Sequence, residues 1–225
     1  MNLINKKNII GICIILLISL ISIFALLPIN KNYEPVCWMK NVSDDIYITE
    51  MTIPGTHDSG ATHSLFDVAG KCQDLNIREQ LNVGVRFLDM RLQLVNDELN
   101  IVHSFVDQDL KFDEVLKDID EFLSKHESEF IIISLKEDAN PKNSKIDFDG
   151  KLIEDLKEYS KIQFCDLPKT LGEARGKIYI LNRFTNNDLG INAYSGWLDS
   201  TTFEINNLYI QDNYCINSNV DTKIT

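Results

Sequence analysis

Phe112, Val115, Leu116, Ile119, Phe122 and Leu123 recur at three- and four-residue spacing, with Glu114, Lys117, Asp118 and Glu121 between them. That period predicts an amphipathic helix over this stretch. A weaker helical pattern spans about 147–159, with Leu152, Ile153 and Leu156 as its apolar side, and Ile77–Leu81 reads as a short helical turn before Gly84. Around these lie short apolar runs that predict strands: Tyr47–Ile53, Val85–Leu92, Leu99–His103, Phe130–Leu135, Lys177–Leu181 and Leu208–Gln211. Several are continuous rather than alternating, Phe130-Ile-Ile-Ile-Ser-Leu135 most clearly, which fits a parallel sheet covered on both faces.

Alternating strands and helices predict an α/β fold, either a barrel or a doubly wound sheet. Polar groups stand at the C-terminal ends of most strand candidates: His57 and Asp58, Asp89 and Arg91, His103, Lys136, Asp212, and Arg183 just beyond Leu181. A closed barrel gathers all its strand ends on one rim. An open sheet uses mainly its switch point, and the chain has no glycine-rich phosphate loop of either common type. The barrel is the better reading. Six strand candidates, roughly 32 residues apart, precede Thr225, whereas a complete eight-unit barrel takes about 250 residues. The expectation is an irregular barrel with about six of eight strands present.

The longest apolar run is at the start. Ile9–Ile29 is nearly unbroken and follows Lys6 and Lys7. Its length suits a bilayer span, and its basic flank suits a secretory signal or a signal anchor. Both readings place residues 30–225, the expected catalytic domain, outside the cytoplasm, either secreted or anchored to the outer face of the membrane. Without Lys6 and Lys7, 20 basic residues face 34 acidic ones, a net of −14. Such a chain lacks the basic footprint of a nucleic-acid binder and is unsuited to strong adhesion to anionic lipid. Cys37, Cys72, Cys165 and Cys215 could form two disulfides or remain thiols. They lack the close spacing of a zinc site.

Two histidines, two aspartates and an arginine at strand ends suit acid–base chemistry on a phosphate ester. Histidine titrates in the range that both proton steps need. Arginine offers a permanent fork of donors to phosphoryl oxygens. Taken singly, each has a plainer reading: Asp89 and Arg91 as a structural ion pair, Lys136 as a lysine reaching solvent, Asp212 and Tyr214 as ordinary strand-end residues. His63 and His126 fit no motif and read as structural or solvated, and Asp138 reads as solvated.

Six segments occur in a familiar order: Ile53-Pro-Gly-Thr-His-Asp-Ser59, Gly84-Val-Arg-Phe-Leu-Asp-Met-Arg91, Ile101-Val-His103, Ile131-Ile-Ile-Ser-Leu-Lys136, Leu171-Gly-Glu-Ala-Arg-Gly-Lys177 and Gln211-Asp-Asn-Tyr214. From Met51 to Tyr214 the chain resembles the X-box catalytic region of bacterial phosphatidylinositol-specific phospholipase C. The resemblance implies an irregular TIM-like barrel. It implies cleavage of membrane phosphatidylinositol to diacylglycerol and inositol 1,2-cyclic phosphate, followed by slow hydrolysis of the cyclic ester, by a monomer with no cofactor. In that family's terms His57 is the general base, His103 the general acid assisted by Asp58, Arg91 the phosphate ligand and Asp89 a positioning carboxylate. Lys136, Arg183 and Asp212 bind inositol, and Tyr214 stacks on the sugar. The calcium-dependent branch carries metal-ligating carboxylates near Arg91 and an asparagine after the first histidine, so Arg91 and Asp58 imply no metal. A further aspartate that orients the base would fall beyond Thr225, so His57 is expected to lack that partner. Two other readings stay open: a related barrel phosphodiesterase acting on another phosphodiester, and a non-catalytic protein that binds head groups or membrane.

Overall fold

The computed structural model describes residues 34–63, 70–185 and 189–214. It divides into two units, Met1–Glu34 and Pro35–Thr225. The expected apolar helix over 9–29 lies outside the described residues, as does Cys215. Among the described residues, no helix is long and apolar enough to cross a membrane.

The second unit is built on parallel strands in the order β1 (Gly55–Thr56), β2 (Phe87–Val95), β5 (Ile131–Glu137), β7 (Ile178–Asn182) and β8 (Ile191–Asn192). A short β6 (Ile162–Gln163) also pairs with β7. Helices α1 (Ile77–Asn82), α2 (Phe112–Lys125), α3 (Phe148–Lys157) and α4 (Leu171–Ala174) punctuate the sheet. The expected helices form where the periodicity placed them, and their starts are explained by capping. Asn76 and Glu79 form a capping box on α1, and the Asp147 carboxylate accepts from Gly150 N–H at the start of α3. Each cap satisfies backbone donors that have no partner within the helix.

The continuous apolar run of β5 serves two layers. Ile131, Ile133 and Leu135 pack with α2 and α3 in one core, where Leu116, Ile119 and Leu152 are also fully buried. Phe130 and Ile132 face a second core with Tyr179, Leu181 and Ile191. Successive side chains of a strand point to opposite faces, so the inner face of β2 carries Phe87, Asp89 and Arg91, and that of β5 carries Ile132, Ser134 and Lys136. The register aligns Asp89 with Ser134 and Arg91 with Lys136, and Ser134 with Leu181 of β7. The inner face is thus apolar at one end of the strands and charged at the other.

Three strand expectations are corrected. Tyr47–Ile53 is not a strand: Ile48–Glu50 forms a 3-10 turn, with Glu50 N–H donating to the Tyr47 carbonyl, and only Gly55–Thr56 joins the sheet. Leu99–His103 lies within β3 (Glu98–His103), which runs antiparallel to β2 rather than as a barrel strand. Asn96 and Asp97 both take positive φ between Val95 and Glu98, the two-residue turn that matches strand twist. Leu208–Gln211 forms β10 of a separate antiparallel hairpin with β9 (Thr202–Ile205), again turned by two positive-φ asparagines, Asn206 and Asn207. Strand β4 (Val106–Lys111) was not expected, because a polar residue, Gln108, holds one of its buried positions. Its amide accepts from His63 N–H and donates to Gly70 and Val106 carbonyls. Cys72 and Cys165 are free thiols, so the two-disulfide option is not realised.

Candidate active site

The loop after β1 is fastened before it presents any chemistry. Ser59 N–H donates to the Asp89 carbonyl at 2.8 Å, and Asp89 N–H donates back to Ser59 Oγ at 2.8 Å. Gln80, from α1, donates to the Ser59 carbonyl and accepts from Thr56 Oγ1. Gly60 passes so near Ile101 that a Cβ there would lie 2.5 Å from its methyl. Asp58 takes φ 48°, a left-handed conformation that aspartate tolerates better than most residues. The turn therefore holds His57 and Asp58 over the charged end of β2.

His103 reaches the same place by the hairpin. Leu92 pairs with Ile101, so the chain runs past Arg91, turns at Asn96–Asp97 and brings His103 back level with the charged end of β2. Arg91 is then the hub. Its Nη2 lies 3.2 Å from Asp89 Oδ2 and 3.2 Å from His57 Nε2, and its Nε lies 3.4 Å from Asp58 Oδ2. His103 Nε2 is 3.4 Å from the same Asp58 oxygen. On the other side, Asp89 Oδ1 accepts from Arg183 Nη1 at 2.9 Å, and Arg183 also contacts Ser134 Oγ at 3.3 Å. His57, Asp58, Asp89, Arg91, His103 and Arg183 thus form one connected cluster.

The remaining expected residues are placed less as the resemblance implies. Lys136 Nζ pairs with Asp138 at 2.6 Å. Asp138 is not simply solvated, since its side chain is 6% exposed and its other oxygen accepts from Ser104 N–H next to His103. Two residues beyond Lys136, Asp138 keeps the strand's inner face, and that period was the available sequence signal. A carboxylate from within the chain stands beside His57: Asp212 Oδ1 lies 3.0 Å from His57 Nδ1. The second Asp212 oxygen lies 3.3 Å from Trp197 Nε1, and the Trp197 ring lies 3.9 Å from the Arg183 guanidinium carbon. Tyr214 stacks on the His57 ring with centroids 4.0 Å apart. Trp197 and Asp138 are the site residues that sequence reasoning missed. His63 and His126 stay outside the cluster: His126 ends α2 against Phe122.

Burial pushes Asp58 up to about 6; Arg91 opposes this, Asp89 adds to it, and the two histidines oppose it. Burial works against the charge of Arg91, but Asp89, Asp58 and Asp138 outweigh it and raise its pKa. Burial also opposes the Asp138 charge, yet Lys136, Ser104 N–H and Arg91 hold its carboxyl below the usual range. Cys72, near the rim, is pushed up to about 11 by burial and then by Asp58.

One residue range settles the family. Residues 51–183 match the family model described as phosphatidylinositol-specific phospholipase C, X domain. The chain belongs to this X-domain family. It is 31% identical over 201 residues to a 1-phosphatidylinositol phosphodiesterase of Listeria monocytogenes, covering 83% of this chain and 60% of the relative. It is 31% identical over 214 residues to the enzyme of that name from Staphylococcus aureus, covering 82% and 66%. The X-domain chain therefore spans about three fifths to two thirds of the length of these relatives. A solved Staphylococcus aureus phosphatidylinositol-specific phospholipase C superposes with a TM-score of 0.70 at 28% identity, over 80% of this chain and 67% of that one. The Listeria monocytogenes enzyme superposes with a TM-score of 0.57 at 27% identity, over 66% and 56%. The parallel sheet with its flanking helices is accordingly the irregular TIM-like α/β fold of these X-domain proteins.

Proposed function

We propose that this X-domain chain cleaves phosphatidylinositol in membranes by intramolecular attack of the inositol 2-hydroxyl on phosphorus. The products are diacylglycerol and inositol 1,2-cyclic phosphate. The observation that carries the reading is the contact of 3.2 Å between His57 Nε2 and Arg91 Nη2. A guanidinium can only donate, so His57 Nε2 holds its lone pair beside the group best suited to a phosphate. In the reaction the 2-hydroxyl oxygen bonds to phosphorus while its proton passes to His57. The bond to the glycerol oxygen breaks, and that oxygen takes a proton from His103. The attacking hydroxyl is already tethered to the phosphate, so little entropy is lost in bringing the two together. Arg91 turns its donors to the non-bridging oxygens as their charge grows. Asp89 fixes Arg91 and Arg183. The resemblance assigns Lys136 and Arg183 to the inositol hydroxyls. Phe105, 84% exposed and two residues from His103, offers an apolar side chain to the lipid interface. The basic-flanked apolar run supports a location outside the cytoplasm, and the proposal has the enzyme act as a monomer at the membrane surface.

Metal independence belongs to the same proposal. Among the described residues, His57, Asp58 and Cys72 bring possible ligand atoms within 4.8 Å of one another. The Arg91 guanidinium lies against two of the three, and a divalent ion would have to displace that fixed positive charge. The test is phosphorus NMR of phosphatidylinositol vesicles mixed with the protein in excess chelator. The cyclic phosphate is expected at the untreated rate. A rate that vanishes and returns with calcium would refute metal independence. A non-cyclic monoester formed from the first turnover would favour a different phosphodiesterase. Head-group binding without turnover would favour a binding protein.

Asp58 predicts the acid side of the pH profile. Its carboxylate supports the protonated form of His103, and burial makes it take up a proton as pH falls through about 6. The loss of the Asp58 charge adds to the fall that protonation of the base brings, so activity is expected to drop faster than tenfold per pH unit below about 6, and Asp58→Asn to fall less steeply while losing activity overall. An Asp58→Asn variant with the wild-type profile would disprove the assignment.

A further inference from the structure

The resemblance places Asp212 among the inositol ligands, but its bonds point to another task. We infer that Asp212 is the positioning carboxylate of His57, a role that rests on His57 acting as the general base. The bonding at the ring fixes its tautomer. Arg91 can only donate, so His57 Nε2 accepts from Arg91 Nη2 and carries no proton. Nδ1 must then bear the hydrogen, and Asp212 Oδ1 receives it at 3.0 Å. A carboxylate at Nδ1 keeps the Nε2 lone pair aimed at the reacting hydroxyl and stabilises the imidazolium that forms when the proton arrives.

Asp89 is the alternative partner, and geometry rules it out. Its Oδ2 is 3.9 Å from Nδ1 and already accepts from Asp58 N–H and Arg91, while its Oδ1 accepts from Arg183. Asp212 is also held. Its second oxygen faces Trp197 Nε1 at 3.3 Å, Trp197 lies over Arg183, and Tyr214 stacks on the His57 ring while its hydroxyl donates to Asp199. Backbone bonds extend the support: Asp212 N–H donates to the Thr201 carbonyl at the foot of the β9–β10 hairpin. Both oxygens thus face protein donors, and the residue that would stack on a sugar covers the histidine instead. The hairpin segment braces the base.

Two readouts test this. Kinetics of Asp212→Asn and Asp212→Ala on phosphatidylinositol vesicles are expected to show kcat about 10²–10⁴-fold lower with KM nearly unchanged. A KM increase of tenfold or more with kcat retained would overturn the inference in favour of an inositol ligand. Nitrogen-15 NMR of the resting protein needs no substrate, so it is independent of the proposed reaction. It is expected to show the neutral His57 ring as the Nδ1–H tautomer with its Nδ1 proton hydrogen-bonded and slow to exchange with solvent, and fast exchange of that proton in Asp212→Ala. A slowly exchanging Nδ1 proton that persists in Asp212→Ala would equally overturn it, whatever the activity assays give.

Discussion

Replacing His57 by alanine is expected to lower phosphatidylinositol cleavage by at least 10²–10⁴-fold, the range a positioned general base commonly contributes, and His103→Ala is expected to do the same. The two losses should differ in kind. In the proposed reaction His57 removes a proton from the attacking hydroxyl, whatever the leaving group. His103 there donates a proton to the leaving oxygen, which matters only when that oxygen is a poor leaving group. A synthetic inositol phosphodiester with a nitrophenolate leaving group needs no such donation. His103→Ala should therefore recover most of its activity on that substrate, whereas His57→Ala should not. Turnover of both substrates by both variants, beside wild type, makes the comparison. Near-wild-type cleavage of phosphatidylinositol by either variant, or equal recovery of both on the activated ester, would refute the assigned roles. The positions support the distinction: His57 is tied to Asp212 and Arg91, while His103 faces the buried carboxylate of Asp58.

The largest effect on stability is expected away from the chemistry, at Arg86 and Glu129. Both side chains are fully buried, with Arg86 Nη2 2.9 Å from Glu129 Oε2. The guanidinium also donates to the carbonyls of Leu81, Val85 and Val36, and Glu129 accepts from Met39 N–H. The pair thereby ties the segment at Pro35–Asn41 to the start of β2. Arg86→Met would strand the Glu129 charge in the interior, and removing one partner of such a pair costs about 3–5 kcal/mol. Since domains of this kind are stable by about 5–15 kcal/mol, urea denaturation should show the midpoint fall sharply. Arg86→Met combined with Glu129→Gln should recover part of the loss, because no charge is left unpaired. A single variant within about 1 kcal/mol of wild type would show that the pair does not hold this segment.

Much of the fold was legible locally. The helical periodicity of 112–123 survives as α2, and the apolar run at 130–135 is β5, buried on both faces. Local pattern failed where the partner decides. Tyr47–Ile53 has strand-like composition, yet only Gly55–Thr56 beyond it joins the sheet. Leu99–His103 is a strand whose direction depends on the Asn96–Asp97 turn. Val106–Lys111 hides behind a buried glutamine that a remote loop satisfies. The family match confirms the fold class, and the β9–β10 hairpin stands apart from the parallel strands counted from the sequence.

The candidate site divides in the same way. Local pattern was enough to name the candidate groups. Two histidines, an arginine and several carboxylates stand at strand ends or turns, and the period of two places Asp89 with Arg91 and Lys136 with Asp138 on shared faces. These follow from local geometry, which covalent structure transmits over a few residues. Which group faces which follows from the folded chain alone. His57 and Asp212 are 155 positions apart in the chain, and Trp197 approaches Arg183 from a separate loop. Those pairings depend on strand register, on a hairpin's packing and on the competition of several carboxylates for one arginine. Each is a sum of long-range contacts whose balance no local pattern records, and that is why Asp212 can read as a sugar ligand in the sequence and face a histidine in the folded chain.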